Sequence, residues 1–162
     1  MENALISDIT INSNIARVSI LNVENISGKA YEIFSALSNK SISVDIILQA
    51  SLNSDKKNII FTVFEDRLDE TISTLKSHFS GIYEVEYTKN VAKVSVIGSG
   101  MINRPGVLAQ VLETVESAFI DIQMISSSEM SISLIIDKND AQKALKLLRN
   151  KLEMEQAVLW NF

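Results

Sequence analysis

One block of this chain occurs twice. In the stretch Ile15 to Val23, Ala16, Val18 and Ile20 alternate with Arg17 and Ser19; moving 76 positions along gives Ala92, Val94 and Val96 alternating with Lys93 and Ser95. Strict alternation predicts a strand with one face in a core and one face wet. Two such strands matching position by position predict an internal repeat, and a repeat constrains the fold more than any single motif.

The segment after each strand repeats as well. The loop Glu24-Asn-Ile-Ser-Gly28 feeds a helical pattern of Ala30, Ile33, Phe34 and Leu37; 78 positions on stand Leu108, Val111, Leu112 and Val115, so the second loop is two residues longer. The second loop is Gly100-Met-Ile-Asn-Arg-Pro-Gly106, and Pro105 suits a helix start because its fixed φ fits and its missing N–H removes only an orphan donor. In the first loop Ser27 is expected to cap the helix. Next come the strands Val44, Ile46, Ile47 and Ile122, Met124, Ile125. A right-handed βαβ unit results in each copy.

The first copy continues through a polar hairpin, Asn53 to Asn58, into the strand Ile59 to Phe64. Leu68, Ile72, Leu75 and Phe79 then mark a second helix, and Ile82 to Tyr87 a fourth strand. That order is β-α-β-β-α-β, the ferredoxin-like arrangement. The second copy has its hairpin strand at Ile132 to Ile136 and a helix through Ala141, Ala144, Leu145 and Leu148, after which only Ala157 to Trp160 is free to act as a fourth strand. A further strand at Ala4 to Ile11, closed by the turn Asn12-Ser13-Asn14, has no place in the first copy and is expected to complete the second sheet. The fold class is therefore α+β: two ferredoxin-like units, one over residues 13–88 and one over 1–12 with 89–162, each an antiparallel sheet with helices on one face. Open sheet edges in such small units favour pairing with another chain, so a homodimer is expected.

Composition narrows the partners. A net charge of −5 argues against nucleic acid, whose phosphates need a basic face. No run approaches the roughly 20 apolar residues of a membrane span, and the start Met-Glu-Asn-Ala lacks a signal-peptide pattern. There are no cysteines, hence no disulfides or thiolate metal sites, and cytoplasm is the default compartment.

Catalytic motifs are missing: no phosphate-binding loop, no dinucleotide fingerprint, no nucleophile elbow. His78 reads as a solvated residue at a helix end, and Asp137 with Asp140 as turn and first-turn residues rather than metal ligands. Ser126-Ser-Ser-Glu129 reads as a hairpin turn and Lys56-Lys57 as a solvated hairpin tip. Met124 and Met130 read as core or interface fillers.

Binding chemistry is present. Each copy delivers a loop to a helix N-terminus, where free N–H groups and the positive end of the dipole attract a carboxylate. The neighbouring strand carries Asp45 and Gln49 in the first copy and Gln123 in the second. Two readings of Asp45 stand side by side: it takes the ammonium group of a zwitterion, or it solvates an exposed strand edge.

Asn90-Val-Ala-Lys-Val-Ser-Val-Ile-Gly98, Gly100-Met101, Arg104-Pro-Gly-Val107, Ile122, Met124-Ile-Ser-Ser-Ser-Glu129 and Ser131-Ile-Ser133 resemble the second ACT repeat of aspartate kinase, and Val44-Asp-Ile-Ile-Leu-Gln49 resembles a strand of the first. The resemblance implies paired ACT domains that bind an end-product amino acid, lysine or threonine, and so inhibit ATP-dependent phosphorylation of aspartate. It places effector contacts on Ile26, Ser27, Gly28, Lys29 and Ala30, on Asp45 and Gln49, and on Gln123, Met124 and Ile125. The family's first repeat commonly carries Asp-x-Pro-Gly, where this chain has Asn25-Ile26-Ser27-Gly28. The family's catalytic signature, Lys-Phe-Gly-Gly, does not occur, so ATP and magnesium would belong to a catalytic domain outside these residues. A regulatory fragment or a separate regulatory subunit is expected, with a ligand-independent ACT assembly module as the rival reading.

Overall fold

The computed structural model describes residues 5–99 and 105–159. In chain order the elements are β1 (Leu5–Glu24), α1 (Lys29–Ser38), β2 (Val44–Ser51), β3 (Lys56–Phe64), α2 (Leu68–Phe79), β4 (Glu84–Ser99), α3 (Pro105–Glu116), β5 (Ile122–Ser127), β6 (Ser131–Asp137) and α4 (Ala141–Leu159). The chain divides into two compact units, Asn14–Lys89 and the union of residues 1–13 with Asn90–Phe162.

In the first unit, Asn14–Lys89, the strands run in the order β2-β3-β1, all antiparallel. Val18 faces Phe61, Ile20 faces Ile59 and Ala16 faces Val63, so the even residues of β1 and the odd residues of β3 share one side of the sheet. These side chains pack with Ile33 and Leu37 of α1 and with Leu68, Ile72 and Leu75 of α2 into one buried core. A bulge between Ile20 and Val23, with Asn22 at φ 57°, shifts the register so that Val23 also enters the core.

The second unit repeats the plan with the order β4-β6-β5. Ala92, Val94 and Val96 face Ile136, Leu134 and Ile132, and pack against Val107, Val111 and Val115 of α3 and Ala144 and Leu148 of α4. The N-terminal segment of β1 belongs to this unit: Ile9 is buried in its core, and Ser7 Oγ donates to the carbonyl of Ile97 at 3.2 Å. In each unit antiparallel strands carry the helices against one face, which makes this an α+β, ferredoxin-like architecture.

Four local expectations are corrected. Asn12-Ser13-Asn14 does not turn; β1 runs unbroken from Leu5 to Glu24, because a strand tolerates polar residues where its backbone stays in the ladder and its side chains meet water, as Ser13 and Asn14 do. Residues Glu84 to Tyr87 and the strand at 91 are likewise parts of one strand, β4, and Ile82 and Tyr83 precede it. Ala157, Val158 and Leu159 continue α4 instead of forming a strand, since nothing in 141–159 breaks the helical hydrogen bonding, and Trp160 lies outside the described residues. Finally, Lys57 is no hairpin tip. It sits within β3 and is only 5% exposed, whereas Leu52 to Asp55 form the tip.

Met124 is buried, whereas Met130 is 58% exposed. No helix among the described residues is long and apolar enough to cross a membrane.

Candidate functional site

The loop from Glu24 to Gly28 is held in place by the β2–β3 hairpin. Asn25 N–H donates to the carbonyl of Asp55 at 2.8 Å, and its side-chain amide donates to the carbonyl of Asn53 at 3.3 Å and reaches Ser51 Oγ at 3.5 Å. The hairpin turn is itself locked by Asn53, whose side chain accepts from the N–H groups of Asp55 and Lys56. Asn25 thus takes a positional role that fixes where α1 begins.

The cap of α1 is Gly28, not Ser27. Gly28 has φ 94°, in the left-handed region that favours glycine, and no side chain closes the helix end with a hydrogen bond. Ser27 is exposed, and its hydroxyl is not used as a cap because the residue at the capping position is the one after it. A Cβ built on Gly28 would meet nothing within 4 Å, so the space over the first turn is open. The first-turn N–H groups of α1 therefore keep their donor capacity for a solvent molecule or an anion.

Lys29 closes one side of this end. Its ammonium lies 3.2 Å from Glu24 and 3.3 Å from Glu32, and the hydrogen bonds to Glu24 and then Glu32 raise its pKa above the ordinary lysine value. Ile26 projects outward, 57% exposed, and Ala30 is half-buried against the core. Ile26 to Ala30 thus offer an open helix terminus flanked by an apolar side chain and a neutralised lysine.

The strand residues assigned beside this loop divide. Gln49 lies two residues before Ser51, which Asn25 touches, so it is near the loop end of β2. Asp45 is at the other end: six residues before Ser51, it stands ~20 Å away at the usual strand rise. Within the first unit the structure does not bring Asp45 to the first turn of α1, because β2 is extended over its full length. Asp45 and Gln49 are both exposed.

In the second unit the loop residues 100–104 lie outside the described residues, and α3 opens at Pro105. A Cβ on Gly106 also meets nothing within 4 Å. Of the strand residues, Gln123 is half-buried, Met124 is buried opposite Ile135, and Ile125 is 49% exposed.

The remaining sequence candidates have structural duties. His78 is exposed, with Nδ1 3.0 Å from the Thr74 carbonyl one helical turn back. Asp137 accepts from the Asn139 N–H at 2.8 Å and from the Asn90 amide at 2.6 Å, which seats the turn into α4. Among the described residues no three acidic or histidine side chains gather to hold a metal. Ser128 organises the β5–β6 turn, its hydroxyl accepting from the Met130 and Ser131 N–H groups. An open groove of about 360 Å³ lies between α3 and α4, lined by Glu113, Thr114, Ser117, Leu147, Asn150 and Lys151. It stands at the C-terminal part of α3, the wrong end for a dipole that attracts carboxylates.

Two ferredoxin-like units, the first with an open start to α1, define a class of tandem βαββαβ modules. Comparison with known proteins places the chain within that class: residues 18–79 and 94–152 match the ACT domain, and the chain belongs to that family. It is 36% identical over 156 residues to the aspartokinase of Helicobacter pylori, covering 96% of this chain and 38% of that protein. It is 35% identical over 147 residues to the aspartokinase of Geobacillus stearothermophilus, covering 91% and 36%. The chain thus spans little more than a third of the length of these relatives. Among solved structures it is similar to the ligand-free regulatory subunit of aspartate kinase from Thermus thermophilus, with TM-score 0.86 and 28% identity over 90% of this chain and 97% of that one. A structure of aspartokinase alpha and beta subunits aligns with TM-score 0.85 and 30% identity, covering 92% and 99%. The two units are therefore ACT repeats of the aspartokinase regulatory type, and an allosteric regulatory role follows from that kinship.

Proposed function

We propose that this chain binds an end-product amino acid, lysine or threonine, and transmits its occupancy to an aspartate kinase catalytic domain or subunit as feedback inhibition. The observation that carries the reading is the uncapped start of α1, where Gly28 leaves free donors and open space in a loop pinned by Asn25. A zwitterion docks its carboxylate on those donors. Gln49 is the nearer of the two strand contacts. Asp45, at the far end of β2, serves a ligand only where a second ACT unit supplies the other half, which ties the proposal to a homodimer through ACT domains. An allosteric coupling of about 1 to 3 kcal/mol suffices for such control.

Calorimetry with lysine, threonine, methionine and the branched-chain amino acids tests the reading. Saturable binding of one of them supports it; silence across the panel at millimolar concentration removes it.

The rival reading, a ligand-independent assembly module, has its own observation. Ile47 and Leu48 on β2 and Ile125 on β5 are large apolar side chains, 43 to 51% exposed, on strands that end their units' orders. That module would keep one melting temperature with or without amino acids, whereas a sensor gains stability by mass action when its ligand is added.

A further inference from the structure

Helices α1 and α3 end in the same way. Ile42 N–H donates to the Leu37 carbonyl at 3.1 Å and Ile120 N–H to the Val115 carbonyl at 3.4 Å; the residue before each, Ser41 or Phe119, lies in the left-handed region at φ 54° or 59°. Glycine closes a helix at that position with least strain. In the first unit a small polar residue stands there, and in the second a phenylalanine, whose side chain makes the left-handed backbone unfavourable. Phe119 is 98% exposed, so its ring rests on nothing in its own chain. Neither the turn nor the core of the unit accounts for an aromatic residue here.

A place for such a ring lies beside it. The groove of about 360 Å³ between α3 and α4 takes its walls from Thr114 and Ser117 on one side and Leu147 and Lys151 on the other, and Phe119 stands two residues from Ser117. A cavity of about 150 Å³ is enough to take up benzene, so the groove has room for a phenyl ring. The base of the ring is held in position, because Lys143 Nζ donates to the Ala118 carbonyl at 2.9 Å and ties the end of α3 to α4.

Charge indicates which molecule brings the ring. α3 carries Glu113 and Glu116 and no basic residue, whereas α4 from Ala141 to Leu152 carries Lys143, Lys146, Arg149 and Lys151 and no acidic one. Glu113, Glu116, Lys146 and Lys151 are exposed, and among the described residues no ion pair joins α3 to α4. The first unit's helices mix the signs, with Lys29 and Glu32 on α1 and Asp69, Glu70 and Lys76 on α2. A face with one acidic and one basic helix complements itself after half a turn, when α3 of each copy meets α4 of the other. Ring and groove are neighbours on one unit, so the same rotation seats both rings at once and closes the contact as a pair.

We propose that the helix face of the second unit docks a second copy of this chain, each Phe119 filling the α3–α4 groove of the other. Glu113 and Glu116 then face the partner's Lys146 and the partner's Lys151. This surface is separate from strands β2 and β5 and from the start of α1, so it does not depend on whether an amino acid binds.

Sedimentation of the full chain from micromolar to millimolar concentration tests the proposal with Phe119→Gly, a change that relieves the left-handed strain and so does not endanger the fold. The wild type is expected to reach at least twice the mass of the variant, whose self-association is weaker by at least about thirtyfold, the effect of losing an anchoring aromatic residue. The melting temperature of the variant at low concentration should be no lower. Glu113→Lys and Lys151→Glu should each weaken association, and the two together should restore it. A wild type that stays a single copy throughout, a Phe119→Gly variant that associates as the wild type does, or a charge-swapped double variant no stronger than either single one would each overturn the proposal.

Discussion

Phe34 on α1 meets Phe61 on β3 edge-on, ring centroids 5.4 Å apart and planes at 73°. Phe61 is fully buried at the centre of the first unit's core, so this contact sets how α1 lies on the sheet and where its open end stands. Phe61→Ala removes the ring and leaves a cavity, with an expected loss of about 3 to 5 kcal/mol of stability. Urea denaturation checks it; a loss below about 1 kcal/mol would mean the core collapses around the gap.

Gly28→Ala tests the loop. The Cβ has room, so the cost is conformational: a non-glycine residue at φ 94° loses about 1 to 2 kcal/mol. The variant is expected to melt earlier, and any amino-acid binding seen by calorimetry should weaken as the first turn shifts. An unchanged melting temperature would show that the loop relaxes out of the left-handed conformation without cost.

Lys29 yields a prediction in pH. Its pKa is raised in the folded chain by Glu24 and Glu32, so the protonated form is favoured by folding. The stabilisation is fully present below the unfolded lysine value and is lost as pH rises through the higher folded value. The stability difference between wild type and Lys29→Met should therefore hold from pH 7 to pH 9 and shrink at more alkaline pH. Melting curves across that range decide it, and a difference that grows with alkalinity would contradict the assignment.

Much of the fold was legible because the repeat carries its own check. Ala16 and Ala92, Val18 and Val94, Ile20 and Val96 pair by sequence position alone, and all six are buried at 0 to 1% exposure in their two cores. The amphipathic stripes of α1, α2 and α3 were equally readable, since burial of one helix face needs only local periodicity. What escaped depends on distant partners. Polar residues at 12–14 carry turn propensity, but the ladder of a long strand overrides it. Lys57 reads as a surface residue by type, and only the pairing with Val23 and Ser51 shows that its stem is packed. Asp45 and the loop group together in sequence because they stand on either side of one helix, α1, and the length of β2 separates them.

The second unit contains a hydroxyl pair suited to a double-mutant cycle. Ser95 and Ser133 are directly opposite on β4 and β6, both nearly buried, with their oxygens 2.8 Å apart. Either hydroxyl donates while the other accepts, so each satisfies its neighbour in a place with little water. Removing one by Ser95→Ala or Ser133→Ala leaves a buried hydroxyl without its partner, at an expected cost of about 1 to 3 kcal/mol. Removing both takes away the bond and both desolvation penalties, so the double variant should be no less stable than either single one. Chemical denaturation of the four proteins gives the coupling energy directly. Additive losses would show that water enters this face of the sheet and satisfies each hydroxyl separately.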